Sequence, residues 1–473
     1  MKTIVLQVLP CRYVASAFLI VFGAMLATVD IFGSSIPYTD EWDAEADWLY
    51  RLFEQGDLGF GEIAAPHFGH RLILTRLTSL GLYVLNGGWD PQLQMIVNGL
   101  LHALICAMLA GFIVQRTDGP YRTPTVVATI ILFAVPFSWL SILVAFQTQF
   151  YFMLLFSILA LKRLSSSRYL AGYSFAALAM LSMTPGALLL PAFVFALTIN
   201  ALSHRFISRG KLWHIAICSA VFVVFVWTLP DTTADDAYQA GNLKDFFVTV
   251  FHALYWPIRL EHWVGLIVYA PFVLLLIQAF RHSGVPVFLL ALGGFIALQI
   301  LAMGYFRGGL NIPVPNRYWE ILIVGIWLNG MSLVFIMRNS VSRPVKAFAL
   351  VWAFIAIVGL SATAFESFSE GLPGRKAESL TAQSLITEYL DTGNREVFAG
   401  YSIYEVSYPD TDRLMDLLNK PVIRDLLPGS LGGSSEDNLT SVRNVLFRLH
   451  WLMILGGLCL LALPSRAPRG FSS

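Results

Sequence analysis

Apolar residues in this chain come in long blocks separated by short polar joints. A helix crossing the hydrocarbon of a bilayer needs roughly 20 mostly apolar residues. Blocks near that length recur at 13–35, 93–114, 125–143, 146–161, 169–184, 187–202, 212–229, 263–280, 285–304, 318–337, 346–364 and 446–464. The pattern predicts an all-α polytopic membrane protein with about twelve transmembrane helices. The first block starts near Met1, as a secretory leader would. It is of spanning length and no A-x-A-like cleavage site follows it, so it reads as a retained first helix.

Charge assigns the joints to two sides. The segments QRTDGPYR, KRLSSSR, SHRFISRGK, RHSG and RNSVSRPVK and the tail SRAPRGFSS are rich in Lys and Arg, with Asp118 their only acid. The positive-inside rule places them, and both termini, on the cytoplasmic side. The opposite side then holds the first loop (36–92), a middle loop (230–262), the short YFRGGLNIPVPNR (305–317) and a polar segment (365–445). This divides the chain into a membrane domain (1–364), an extracytoplasmic segment (365–445) and a last helix with its tail (446–473). Within 365–445, SLTAQSLITEYL and TDRLMDLLNK read as helices and EVFAGYSIYEV as a strand, a small α/β segment.

Composition agrees with the membrane reading. The 473 residues are 56% hydrophobic and 13% charged, against about 25% charged in soluble domains. A net charge of +1 gives no basis for a nucleic-acid partner. The cysteines, Cys11, Cys106, Cys218 and Cys459, lie in or beside apolar blocks, with no disulfide or metal spacing.

Candidate chemistry collects beside the membrane. Asp40 and Glu41 follow the first block by a few residues. A partly desolvated carboxylate there suits a general base, or a hard divalent cation such as Mg²⁺ or Mn²⁺. Glu45, Asp47, Glu54 and Asp57 space like the wet face of an interfacial helix whose other face is Trp42, Leu49, Leu52 and Phe53. The stretch AAPHFGHRLILTRL brings His67, His70, Arg71 and Arg76 beside an apolar stripe: a basic interfacial helix, or a site for a lipid-borne phosphate. Gln147 and Gln149 either bond between helices or line a polar groove. Arg317, Tyr318 and Trp319 are interfacial anchors or a phosphate clamp.

The ordered set Asp40-Glu41-Trp42, His67-Phe68-Gly69-His70-Arg71, Phe146-Gln147-Thr148-Gln149-Phe150 and Arg317-Tyr318 resembles a bacterial group of GT-C class integral-membrane glycosyltransferases. The family's Asn-Glu before His-Arg is replaced by Phe68-Gly69, so that acid's role is absent or taken by His67. The resemblance implies a polyprenyl-phosphate-linked sugar as donor, used on the outer face of the bacterial inner membrane, and a glycan, lipid or protein acceptor. Asp40 would be the base, with Glu41 beside it. His67, His70, Arg71, Gln147, Gln149, Arg317 and Tyr318 would bind substrate and phosphate. The inner joints are too short to hold a nucleotide-sugar, which favours a lipid-linked donor independently. Two other classes remain open: a transporter or flippase of polysaccharide precursors, with His102 as its one mid-span ionisable group, and a scaffold presenting 365–445. Arg413 and Arg424 read as surface charges.

Overall fold

The computed structural model describes residues 2–117, 119–230, 238–258, 264–281, 284–310, 313–339, 342–434 and 436–463, with residues 2–10 as backbone only. Asp118, the basic tail 465–473, residues 282–283 of joint 281–284 and parts of the loops at 230–262, 305–317 and 338–346 lie outside the described residues.

The first helix is α1 (Lys2–Phe32). The loop after it holds a π-helix (Trp42–Tyr50), α2 (Arg51–Gln55), α3 (Phe60–Ala64), a hairpin of β1 (Pro66–His67) and β2 (His70–Arg71), and α4 (Ile73–Asn86). The chain continues through α5 (Pro91–Arg116), α6 (Arg122–Ala134), α7 (Trp139–Leu143), α8 (Thr148–Ser165), α9 (Tyr169–Ser182), α10 (Leu189–His204) and α11 (Arg209–Trp227). Then come α12 (Leu243–Tyr255), α13 (Val264–Arg281), α14 (Val287–Arg307), α15 (Trp319–Asn339) and α16 (Arg343–Glu366). A π-helical turn (Ser367–Gly371) carries α16 into α17 (Leu372–Thr392). Two short helices, α18 (Thr411–Leu418) and α19 (Pro421–Leu426), precede α20 (Thr440–Ala462).

Among the described residues, 10 helices are long and apolar enough to cross a membrane. This is a multi-pass all-α membrane protein. The other two apolar blocks form shorter helices, α6 of 13 residues and α9 of 14. Proline sets their ends. Val135, before Pro136, turns extended at φ −82° and ψ 125°, as a residue preceding proline must. Met183 is likewise extended, and Pro185 opens the next turn.

Small residues let helices approach closely where lipid supplies no hydrophobic drive. α1 packs along α20 and α5. A Cβ at Gly23 would lie 2.7 Å from the His450 carbonyl oxygen, and one at Gly457 would lie 2.6 Å from Ile20. The membrane core is one continuous cluster from Tyr13 to Phe447. A buried polar unit crosses it. His102 Nδ1 lies 3.0 Å from Glu320 Oε2, the Tyr151 hydroxyl donates to Glu320 Oε1 at 2.8 Å, and His102 Nε2 donates to the Phe133 carbonyl at 2.8 Å. Both His102 and Glu320 are buried.

A second core builds a head on one end of the helices. Ile36, Trp42, Leu49, Tyr50 and Trp89 of the first loop pack with Leu385, Ile386, Tyr389, Leu414, Leu417 and Ile423. Segment 372–431 is therefore joined to the first loop by apolar packing. Arg413 is not a loose surface charge: it bridges Asp43 at 3.0 Å and Asp47 at 2.7 Å, and Lys420 reaches Asp47 at 2.7 Å. The predicted strand EVFAGYSIYEV is instead a 3₁₀ turn (Arg395–Phe398) followed by further turns. Gly400, at φ +84°, breaks any extended run, and among the described residues no neighbouring strand offers a ladder there.

The wet-face assignment in the first loop also changes. Glu45 is fully buried, while Leu52 is half-buried and Phe53 exposed. The segment is π-helical, with i→i+5 bonding, so a 3.6-residue wheel misplaces its faces.

Candidate functional site

Adjacent acids at the start of the π-helix have opposite surroundings. Glu41 is fully buried. Its Oε1 accepts from the backbone N–H of Ala145 at 2.7 Å and Phe146 at 3.4 Å, and its Oε2 from Tyr38 N–H at 3.1 Å. The carboxylate is thus a brace between the first loop and the 145–147 turn. This buried, three-fold bonded setting supports a bracing role for Glu41 over the catalytic or metal-binding one expected from the sequence. Asp40, half-buried, makes no hydrogen bond or ion pair among the described residues. Its charge acts on Arg317 without closing a salt bridge. It follows Thr39, which is held at φ +46°, the kind of backbone strain that collects at functional sites.

Glu45 lies one turn deeper. Its Oε1 meets the Ser79 hydroxyl at 2.6 Å, and that hydroxyl also faces the Thr75 carbonyl at 3.0 Å and Gln94 Oε1 at 3.0 Å. One hydroxyl proton cannot serve three acceptors. A protonated Glu45 supplies the missing donor. Burial pushes its carboxyl well above the usual range. Burial, and then the charge of Glu45, push Glu41 up as well, against the pull of its backbone N–H partners. Both carboxyls are raised, and Glu45 is the one with a side-chain acceptor, the Ser79 hydroxyl, for a carboxyl proton. The network continues from Gln94 to Thr148 and Asn98.

The hairpin places the histidines. His67 and His70 are cross-strand partners, joined by a two-residue turn with Phe68 at φ +43° and Gly69 at φ +72°. Positive φ at both central residues marks a type I′ turn, usually Asn-Gly. Thr184 Oγ1 donates to the Gly69 carbonyl at 2.9 Å, pinning the turn to the bundle. Arg71 Nη2 donates to the Thr228 carbonyl at 3.0 Å, and Arg71 does not line the cleft described next. Arg76 caps the end of α3 through the carbonyls of Glu62, Ile63 and Ala65. Gln147 and Gln149 are buried, each with an Oε1 lacking a partner among the described residues, and neither lines the cleft described next.

That cleft, of about 320 Å³, runs between α8, α11, α14 and the 184–188 turn. Met153, Phe222, Phe225, Met303, Phe306 and Ile321 make its walls apolar. Only Cys218 of α11 is buried, so that wall is a helix whose outer surface is free for lipid. One end is polar, with His70, Arg307 and Tyr318. Arg307 Nε donates to the Tyr318 hydroxyl at 2.8 Å, and the Arg317 guanidinium lies 5.6 Å from the Tyr318 ring centre. Burial, and then the charges of Arg307, His67 and Arg317, hold His70 down to about 4, so it is neutral near pH 7. Its buried Nδ1 has no hydrogen-bond partner among the described residues. Neither Arg307 nor Arg317 closes a salt bridge among the described residues. One arginine, a neutral histidine and a phenol at the end of an apolar slot, with the Arg317 guanidinium beside the phenol, match an anionic group borne on a hydrocarbon chain.

No protein-family model, curated protein or solved structure matches this chain. Among the described residues, no three His, Cys, Asp or Glu side chains converge as a metal site would require.

Arg307 and Arg375 escaped the sequence reading. Arg307 ends an apolar block like any interfacial anchor, and Arg375 sits in LPGRKAESL without a local motif. Only the fold sets the first beside Tyr318 and the second against Tyr38, its guanidinium 3.8 Å from that ring centre.

Proposed function

We propose that this protein transfers a sugar from a polyprenyl-phosphate carrier to an acceptor on the extracytoplasmic side of the membrane, in the manner of GT-C glycosyltransferases. The observation that carries the reading is the apolar cleft ending in Arg307, His70 and Tyr318, with Asp40 facing Arg317 beside it. In this reading the prenyl chain occupies the cleft. Its phosphate meets Arg307 and Arg317, whose charge stabilises the leaving phosphate as the bond to the sugar breaks. Asp40 takes the proton of the attacking acceptor hydroxyl. Twelve membrane crossings, with α6 and α9 as short ones, and cytoplasmic termini belong to the same proposal, as does residence in a bacterial inner membrane.

Transport is the competing reading, and its support is the His102–Glu320 pair, since ionisable groups inside a membrane domain are functional by default. That unit is closed on itself: both imidazole nitrogens and both Glu320 oxygens have protein partners. It suits bracing of α5, α8 and α15 better than a proton path.

The test is transfer in proteoliposomes loaded with polyprenyl-phosphate sugars. Asp40→Asn should keep the fold and donor binding but lower the transfer rate by about 10²–10⁴-fold, the usual share of a general base. Full transfer by that variant removes Asp40 from the mechanism. Lipid-linked sugar crossing the bilayer without transfer would favour the flippase.

A further inference from the structure

We propose that a second cleft, above Arg375, receives the acceptor, and that this acceptor presents a neutral, hydroxyl-rich glycan end; the assignment of the cleft to an acceptor rests on the transferase reading. The cleft has a volume of about 270 Å³. One side is the π-helical turn Ser367–Gly371 with the start of α17, and the other is Trp139 of α7 and Trp319 of α15. Glu366, Glu370 and Glu378 complete it around Arg375.

Arg375 is the unusual group. It is 2% exposed, yet its Nε and Nη1 make no hydrogen bond among the described residues. Its nearest carboxylate oxygen, on Glu378, is 3.9 Å away, beyond hydrogen-bond reach. A buried guanidinium ordinarily uses its donors, because an unpaired buried charge costs several kcal/mol, roughly 3–5 when a partner is removed. Arg375 lines the cleft, and its Nε and Nη1, themselves buried, have the Glu378 charge at 3.9 Å but no hydrogen-bond acceptor among the described residues. The Tyr38 ring covers the guanidinium at 3.8 Å and fixes its plane.

The remaining lining chooses the ligand. Carboxylates accept hydrogen bonds from hydroxyls, the guanidinium donates to ring or glycosidic oxygens, and indole faces stack on the C–H face of a sugar ring. Three carboxylates against one guanidinium disfavour an anion. The volume lies just under the range of about 300–1,000 Å³ for ordinary ligand pockets, which suits one end of a glycan rather than a long chain. A Cβ on Gly371 would fall 2.3 Å from Trp139 Nε1, so glycine there is what admits the indole. π-Helical bulges inside helices are frequent at functional sites.

Position links the two clefts. Tyr318 lines the apolar cleft and its neighbour Trp319 lines this one. Arg375 stacks on Tyr38, two residues before Asp40, and both Tyr38 and Asp40 act on Arg317. An acceptor entering over Arg375 is therefore brought next to the residues that neighbour the Asp40–Arg317 junction.

The experiment uses the full chain in lipid nanodiscs, free of sugar-headed detergents and without any donor. Methyl glycosides of neutral hexoses are titrated against it, with methyl glucuronide as the anionic counterpart, reading tryptophan fluorescence and thermal shift. A neutral glycoside should bind saturably, and Trp139→Ala and Glu370→Gln should each weaken it about tenfold, as loss of a contact residue does. The glucuronide should bind about tenfold more weakly still than its neutral counterpart. No saturable binding to the folded protein, binding indifferent to both substitutions, or equal binding of the glucuronide overturns the proposal. Because no donor is present, these outcomes are independent of whether Asp40→Asn abolishes transfer.

Discussion

Asp40 and Glu41 are neighbours of the same chemical type, and the fold gives them unrelated work. Glu41 is consumed by three backbone N–H groups, while Asp40 keeps both oxygens free beside Arg317. Glu45, a turn on, makes the local pH response. Its carboxyl is raised in the folded protein relative to an ordinary Glu near 4.3. The folded state thus holds a proton that the unfolded state gives up, and stability falls as pH rises from that ordinary value through the raised one. The slope is at most about 1.4 kcal/mol per pH unit for one proton. Glu45→Gln keeps a donor toward Ser79 and removes the titration. Its melting temperature should therefore exceed that of the wild type at pH 8 and match it near pH 5. Parallel melting curves across that range would show that Glu45 does not hold the proton.

Helices and turns carry the next level of information. The hairpin that presents His70 turns on Phe68-Gly69, with a bulky residue in the left-handed region at φ +43°. Phe68→Gly should relieve that strain by about 1 kcal/mol, offset in part by the extra freedom of glycine when unfolded. A net loss of stability would mean the exposed Phe68 ring packs on something that outweighs the strain. The contact of α1 with α20 depends on glycine in the same direct way. Gly457→Leu places side-chain atoms where Ile20 already stands. It should separate α20 and cost about 1–3 kcal/mol, as overpacking does, read as a lowered melting temperature in detergent. The prolines acted locally too: Pro136 and Pro185 end α6 and α9 early, which a window of mean hydropathy does not register.

At the scale of the molecule, a helix bundle and a head with its own apolar core are packed together, and the candidate site draws residues from the first loop and the bundle. The head is held by a shared apolar core and by Asp47, which bonds Arg51, Arg413 and Lys420. Burial opposes ionisation of Asp47, but hydrogen bonds from Lys420, Arg51 and Arg413 outweigh it and hold the carboxyl below its usual range. Asp47→Asn should loosen segment 372–431 from the first loop by on the order of 1 kcal/mol, since the cations that reach across, Arg413 and Lys420, are more than a third exposed and screened. Faster protease cleavage within 395–410 would report it, and unchanged cleavage would place the cohesion in the apolar core alone.

Hydrophobic block length was enough to establish a multi-pass helical membrane protein, because the bilayer demands internally bonded backbone over a fixed thickness. Asp40, Arg317 and Tyr318 stood out in the sequence because they lie close to block ends, where most polar residues of a spanning chain collect. The sequence left undecided which of two adjacent carboxylates is free, which arginines converge and where apolar walls part to form a cleft. Those depend on contacts between residues far apart in the chain, such as Glu41 with Ala145, Arg307 with Tyr318 and Arg375 with Tyr38. No local periodicity encodes them. Only the packing of the head on the bundle decides which charges are buried, which are paired and which are left to act.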